Sequence, residues 1–233
     1  MIRVPLRAEK LSKTFTLHLR GGLRLPVLDS IDLNVEAGRC VVLSGPSGAG
    51  KSTLLRALFG NYRVDSGRIL IRHRDETIDL AAADPRVILD IRRHTIGYVS
   101  QFLRVVPRVP ALDIVADALR HSSLSLEQAR ERAAAMLSSL NINRSLQSIP
   151  PATFSGGEQQ RVNLAHGFIA EHPILLLDEP TASLDAANRD IVVRMIQAAK
   201  ARGTAIVAIC HDLDVRDQIA DRLLPMTPHW EAA

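Results

Sequence analysis

Three stretches of this chain carry residue types at spacings suited to phosphate chemistry. The first, Gly45-Pro46-Ser47-Gly48-Ala49-Gly50-Lys51-Ser52-Thr53, fits G-x-x-x-x-G-K-[ST]. In that pattern the glycines let backbone N–H groups wrap a triphosphate, the lysine reaches the β and γ phosphates, and the Ser52 hydroxyl ligates Mg²⁺. The second runs from Phe154 to Arg161 and contains Ser155-Gly156-Gly157-Glu158. Ser155 and Glu158 have the spacing of a capping box, while Gly156 and Gly157 strip the helix end of side chains. A bare helix N-terminus beside a serine hydroxyl is a second anion site suited to a γ-phosphate. Alone, the run reads better as an ordinary capped helix; beside the other two stretches it does not. The third is the apolar run Ile174-Leu175-Leu176-Leu177, which ends in Asp178-Glu179. A buried strand delivers such residues to the ligand edge of an open sheet, where Asp178 can hold Mg²⁺ and Glu179 can take a proton from, or orient, an attacking water. Together the three stretches point to ATP.

The elements that must position these groups alternate between strand and helix. Cys40-Val41-Val42-Leu43 follows the Ala37-Gly38 turn and is rich in β-branched residues, so it reads as a buried strand stopping at the glycine loop. Lys51 to Leu58 reads as a helix with Leu54, Leu55 and Leu58 on one face. The loop therefore joins a strand end to a helix N-terminus, the context that confirms a phosphate loop. Residues 63–95 read as a strand and turn around Gly67, a polar hairpin at Asp75 and Glu76, and a short helix up to Arg93, with no recognisable chemistry. Two helical patterns fill roughly 111–150, the second opened by a capping box at Ser125 and Gln128 and closed by Pro150-Pro151. A further apolar strand, Thr204 to Cys210, ends at His211. No His or Cys stands at metal spacing from it, which favours a γ-phosphate contact over a metal ligand.

With 233 residues the chain fits one domain with room for a subdomain. A net charge of +4 is too mild to name a nucleic-acid partner, and 3% aromatic residues leave few side chains for stacking bases. Cys40 and Cys210 lie far apart in apolar runs, which favours reduced core thiols and a cytoplasmic setting. No stretch approaches the roughly 18 apolar residues that cross a bilayer, and Met1 to Arg7 lacks the apolar core of a signal peptide. Any membrane partner is expected to be another polypeptide.

The Phe154–Arg161 run, placed ahead of the strand ending in Asp178-Glu179, resembles the ATPase subunits of the ATP-binding-cassette (ABC) family, and the likeness extends over essentially the whole chain. That resemblance implies an α/β P-loop NTPase with a mainly parallel sheet, an amino-terminal antiparallel β portion and a helical subdomain at about 102–155. It also implies an ATP-dependent dimer, homodimeric or with a sister ATPase, in which each site takes the phosphate loop from one protomer and Ser155–Glu158 from the other. By position, Phe15 matches the adenine-stacking aromatic, Gln101 the glutamine of the Mg²⁺ and water shell, Asp185 in Ser183-Leu184-Asp185 the loop crossing the dimer interface, and His211 the switch histidine. His166 departs from the arginine common after the alanine of the signature helix.

A finer likeness, in Thr95–Arg108 and Phe154–Asn163, is to the PhnL-type ATPase of the bacterial carbon–phosphorus lyase system. It implies a soluble complex of phosphonate breakdown, in which ATP yields a ribose triphosphate phosphonate intermediate. The ATPases of lipoprotein-release and macrolide-type exporters are the competing match, and a nucleic-acid-linked ATPase trails both. The segment Phe102–Pro110 combines apolar residues with Arg104, Arg108 and two prolines, the composition of a partner-docking surface.

Overall fold

The computed structural model describes residues 4–17, 21–103 and 107–228. Arg104, one of the two arginines expected to meet a partner, lies outside these residues. The short, wholly apolar runs become parallel strands: β3 (Cys40–Ser44), β6 (Ile96–Val99), β7 (Ile174–Asp178) and β8 (Ala205–Ile209). With β9 (Arg222–Pro225) they form one sheet in the order β6-β7-β8-β3-β9, every neighbouring pair parallel. Continuous apolarity follows from burial on both faces. Cys40, Val42, Leu175, Leu177, Ile206 and Ala208 face one core, and Val41, Leu43, Ile174, Leu176, Val207 and Ile209 face another.

The second core is closed by α1 (Lys51–Leu58), α2 (Pro85–His94) and an antiparallel sheet. That sheet runs β2-β1-β4-β5, from β1 (Leu6–Leu17), β2 (Leu23–Val35), β4 (Ser66–His73) and β5 (Glu76–Asp79). The long β1–β2 pairing carries three register shifts, which bend it over the core. The first core packs beneath α6 (Gly156–Ile169) and α7 (Ala186–Ala201) and continues into three helices, α3 (Ala111–Asp117), α4 (Leu126–Ser139) and α5 (Arg144–Gln147). Ser125 and Gln128 form the expected capping box at the start of α4. Cys40 and Cys210 are both buried and unpaired. Among the described residues, no helix is long and apolar enough to cross a membrane.

Two close approaches place the site. Beyond β9 the chain passes beneath the glycine loop: the Met226 amide donates to the Ser44 carbonyl at 2.7 Å, and a Cβ on Gly45 would run into the Met226 carbonyl. Similarly, α6 lies flush on β6 because a Cβ on Gly167 would collide with the Val99 side chain. Sequence patterning did not identify β9, whose burial pattern is exposed or partial throughout.

Gly167→Ala is expected to push α6 off β6 and to lower stability by about 1–3 kcal/mol, the usual cost of overpacking. Denaturant unfolding should show a lower midpoint; an unchanged midpoint would contradict this close contact.

Candidate functional site

Strand β3 ends at Ser44 and α1 begins at Lys51, so residues 45–50 cross the carboxyl edge of the parallel sheet. Gly50 caps the helix at φ 85°, a left-handed conformation, and an added Cβ there would lie 2.6 Å from the Val27 carbonyl. No acidic residue occupies the first turn of α1, which leaves its positive end available to an anion. Lys51 is buried, and its ammonium donates to the Gly45 and Pro46 carbonyls at 2.7 and 2.8 Å. Burial holds its pKa below the usual lysine value, against the opposing pull of Glu179.

Next along α1, the Ser52 hydroxyl donates to Asp178 Oδ1 at 3.2 Å. Asp178 is only 2% exposed, and its other oxygen accepts the Tyr98 hydroxyl at 3.1 Å. Burial raises the Asp178 carboxyl while the two hydroxyls resist that rise. The Tyr98 phenol is itself pushed up to about 12, by burial first and by Asp178 second. Tyr98 is set by the β6–β7 register opposite Leu176 and by stacking on Phe59, with centroids 5.0 Å apart. Ser52 and Asp178 thus bring two hard oxygen donors together, a set that suits Mg²⁺.

Glu179 follows Asp178 at φ 54°, an unusual conformation for a side chain of this kind, and its amide is fixed to the Ile209 carbonyl at 3.1 Å. Its carboxylate is gripped from two sides. Gln101 Nε2 donates to Oε2 at 3.1 Å, and His211 Nε2 lies 3.0 Å from Oε1. Of the three residues expected to hold Mg²⁺, Ser52 and Asp178 are therefore joined to each other, whereas the Gln101 amide is joined to Glu179.

A cleft of about 220 Å³ gathers Ser47, Gly48, Gly50, Lys51, Ser52, Thr53, Glu179 and His211. Phe15 and Ser155–Glu158 do not line it. Phe15 sits on β1, edge-on to Tyr62 with centroids 5.4 Å apart. Ser155 and Glu158 form their capping box at α6, but the end is not bare. The Glu158 carboxylate accepts from both the amide and the hydroxyl of Ser155, at 2.8 and 2.7 Å, and these bonds hold its pKa down. A Cβ on Gly157 would lie 2.9 Å from the Ser183 carbonyl, which draws this end close to the loop before α7. Asp185 caps α7 by accepting the Asn188 amide at 2.8 Å.

Sequence reasoning missed Tyr98, Gln160 and Asn163. Buried Gln160 donates to the Pro180 carbonyl at 3.1 Å and buried Asn163 to the Ser100 carbonyl. The available signal was polarity on the sheet-facing stripe of a helix. Past Gln101 a second cleft, of about 670 Å³, opens between α2, α3 and α6, with Phe59, Tyr98, Leu103, Asn163 and His166 among its walls.

A phosphate loop at a strand-to-helix junction, an Asp-Glu pair at the same edge two strands away and a glycine-fronted helix beside it define an ATP-hydrolysing P-loop cassette. The family model described as ABC transporter matches residues 28–182, and the chain belongs to that family. It is 34% identical over 215 residues to the lipoprotein-releasing system ATP-binding protein LolD of Idiomarina loihiensis, covering 92% of this chain and 91% of that one. It is also 34% identical over 213 residues to an uncharacterized ABC transporter ATP-binding protein of Mycobacterium tuberculosis; the match covers 91% of this chain but 63% of that longer protein. The dimeric post-hydrolysis structure of the ATP-binding cassette MJ0796 bound to ADP and Pi superposes with a TM-score of 0.86 at 27% identity, covering 95% of this chain and 94% of the other.

Asp178 yields a pH-dependent prediction. A carboxyl whose folded pKa is raised stabilises the fold below its unfolded value of 3.8, and that contribution is lost as pH rises through the folded value. Asp178→Asn should therefore melt increasingly above the parent as pH moves from acid to neutral, measured in chelator without nucleotide, while ATP hydrolysis is lost. A variant that melts below the parent at neutral pH would contradict the burial penalty.

Proposed function

We propose that this chain is the motor subunit of an ABC exporter of the lipoprotein-release kind, working as a dimer with two composite ATP sites. The observation that carries the dimer is the composition of the smaller cleft. It gathers the phosphate loop, Glu179 and His211 of one chain, yet Ser155–Glu158 lies outside it. A second protomer would supply that glycine-fronted helix end, and the cassette MJ0796, to which the chain is similar, is dimeric. ATP then acts as the adhesive between the positive end of α1 in one protomer and the serine-capped end of α6 in the other.

Within each site the chain's residues divide the work. Loop amides and Lys51 bind the phosphates, and Phe15 offers its ring to the adenine. Ser52 and Asp178 would hold Mg²⁺, which would supply positive charge to offset that of the phosphates. Glu179, kept in place by Gln101 and His211, takes the proton from or orients the water, and His211 contacts the γ-phosphate. Asp185 carries the state of one protomer towards the other.

The exporter reading rests on likeness to LolD across nearly the full length of both chains. Its permease would dock in the larger cleft beside Gln101, so that nucleotide state and partner movement share one loop. The second reading, a carbon–phosphorus lyase complex, rests on the sequence of residues 95–110 and 154–163 and on Phe102, which stands 75% exposed next to Gln101. Both place the chain on the cytoplasmic side, neither requires nucleic acid, and both use the same ATP site.

Lys51→Ala should weaken nucleotide binding at least tenfold, since a charged hydrogen bond contributes about 1.5–3 kcal/mol. Glu179→Gln should keep binding and lose turnover, and with ATP and Mg²⁺ it should sediment as a dimer. A strict monomer at saturating nucleotide would exclude the homodimer. Affinity purification of tagged Glu179→Gln from membranes and from cytosol then tests the partner. Recovery of a permease supports the exporter, whereas recovery of lyase subunits, with lost growth on a phosphonate as sole phosphorus source, supports the second reading.

A further inference from the structure

Helix α6 spends two of its buried positions on carboxamides. Gln160 and Asn163 are 4% and 5% exposed and, at i and i+3, share the face that Gly167 presents to β6 at i+7. Apolar side chains would fill that stripe at no desolvation cost; a buried amide costs free energy unless its hydrogen bonds are made. Both side chains are satisfied by backbone of the two loops that carry the water-handling groups. Asn163 Nδ2 donates to the Ser100 carbonyl, next to Gln101, and to Gln160 Oε1 at 3.3 Å. Gln160 Nε2 donates to the carbonyls of Glu179 and Pro180, at 3.4 and 3.1 Å. On the far side of these backbones the Gln101 and Glu179 side chains meet at 3.1 Å. Ser100, Gln101, Glu179, Gln160 and Asn163 therefore close a ring of hydrogen bonds that passes through α6.

We propose that Asn163 and Gln160 are positioning residues for ATP hydrolysis, a two-amide brace that fixes the spacing between the Gln101 loop and the Glu179 turn and so holds the Glu179 carboxylate where the water must sit. Neither amide lines the phosphate-loop cleft. The brace also explains how Glu179 keeps its left-handed φ of 54°: its carbonyl and that of Pro180 are held from α6 while its amide is held by β8. Asn163 lines the larger cleft as well, so displacement of its side chain would reach Glu179 through two hydrogen bonds. The inference rests on the reading of Glu179 given above.

The test is a double-mutant cycle between Asn163→Leu and Gln101→Ala, read by steady-state ATP hydrolysis of the full chain with ATP and Mg²⁺. Leucine keeps the branched shape, with somewhat more bulk, and removes the donor. On its own Asn163→Leu should lower kcat about tenfold or more with KM for ATP within about twofold of the parent. In the Gln101→Ala background it should cost almost nothing further, because without the Gln101 amide the spacing that the brace fixes no longer sets the Glu179 carboxylate. If leucine prevents folding, Asn163→Ala is read in the same cycle. Independent losses that multiply, or a raised KM at unchanged kcat, would overturn the proposal. Glu179→Gln in parallel separates the two ideas: parent-level turnover in that variant would overturn the reading of Glu179, whereas loss of turnover there with additive Asn163 and Gln101 effects would overturn the brace alone.

Discussion

The parallel pairing of β7, β8 and β3 brings three chain segments to a common edge, and every part of the site depends on that alignment. Leu43 pairs with Ile209, and Ile209 with Asp178, so the last residues of the three strands lie side by side. Each strand then turns out of the sheet in its own way: β3 into the glycine loop, β7 into Glu179, and β8 into Cys210 and His211. A slip of one residue along any of them would turn its core side chains to the opposite face. It would also separate Ser52 from Asp178 and His211 from Glu179. The two apolar cores hold register by filling both faces, and the chemistry needs no separate device to bring its acid, base and hydroxyl groups together.

Around that edge the polar side chains act largely on backbone. Lys51 reaches two loop carbonyls, Asn163 reaches Ser100, Gln160 reaches the Glu179 turn, and Asn188 joins Asp185 to Asn141 at 3.1 Å. Each of the last three ties a loop at or near the site to a helix, and Asn141 lies in the turn after α4. Helical movement can therefore reach the site without a change in the sheet, since close-packed cores transmit displacement rather than absorb it.

Much of this could be read from the sequence because the rules involved are local. The phosphate loop, both capping boxes and the apolar strand ending in Asp178 are set by residues a few positions apart, and β3, α1 and β7 fall where patterning puts them. What could not be read depends on contacts distant in sequence. Tyr98 reaches Asp178 across 80 positions, and nothing in its own strand marks the phenol as a partner. The α6 amides appear simply as polar residues until the helix is seen against the sheet. Glu158 shows a third kind of difference: the box was legible, but the carboxylate that fills the helix end changes its character from open amides to a serine bound to an acid.

The passage of Met226 beneath Gly45 has a consequence for synthesis. All the groups that define the nucleotide site, from Lys51 to His211, precede β9 in the chain, yet the floor of the glycine loop is the Met226 carbonyl, tied back through its amide to Ser44. A chain emerging from the ribosome thus displays each motif well before it owns a finished pocket. The backing of the glycine loop is completed only once β9 has docked beside β3.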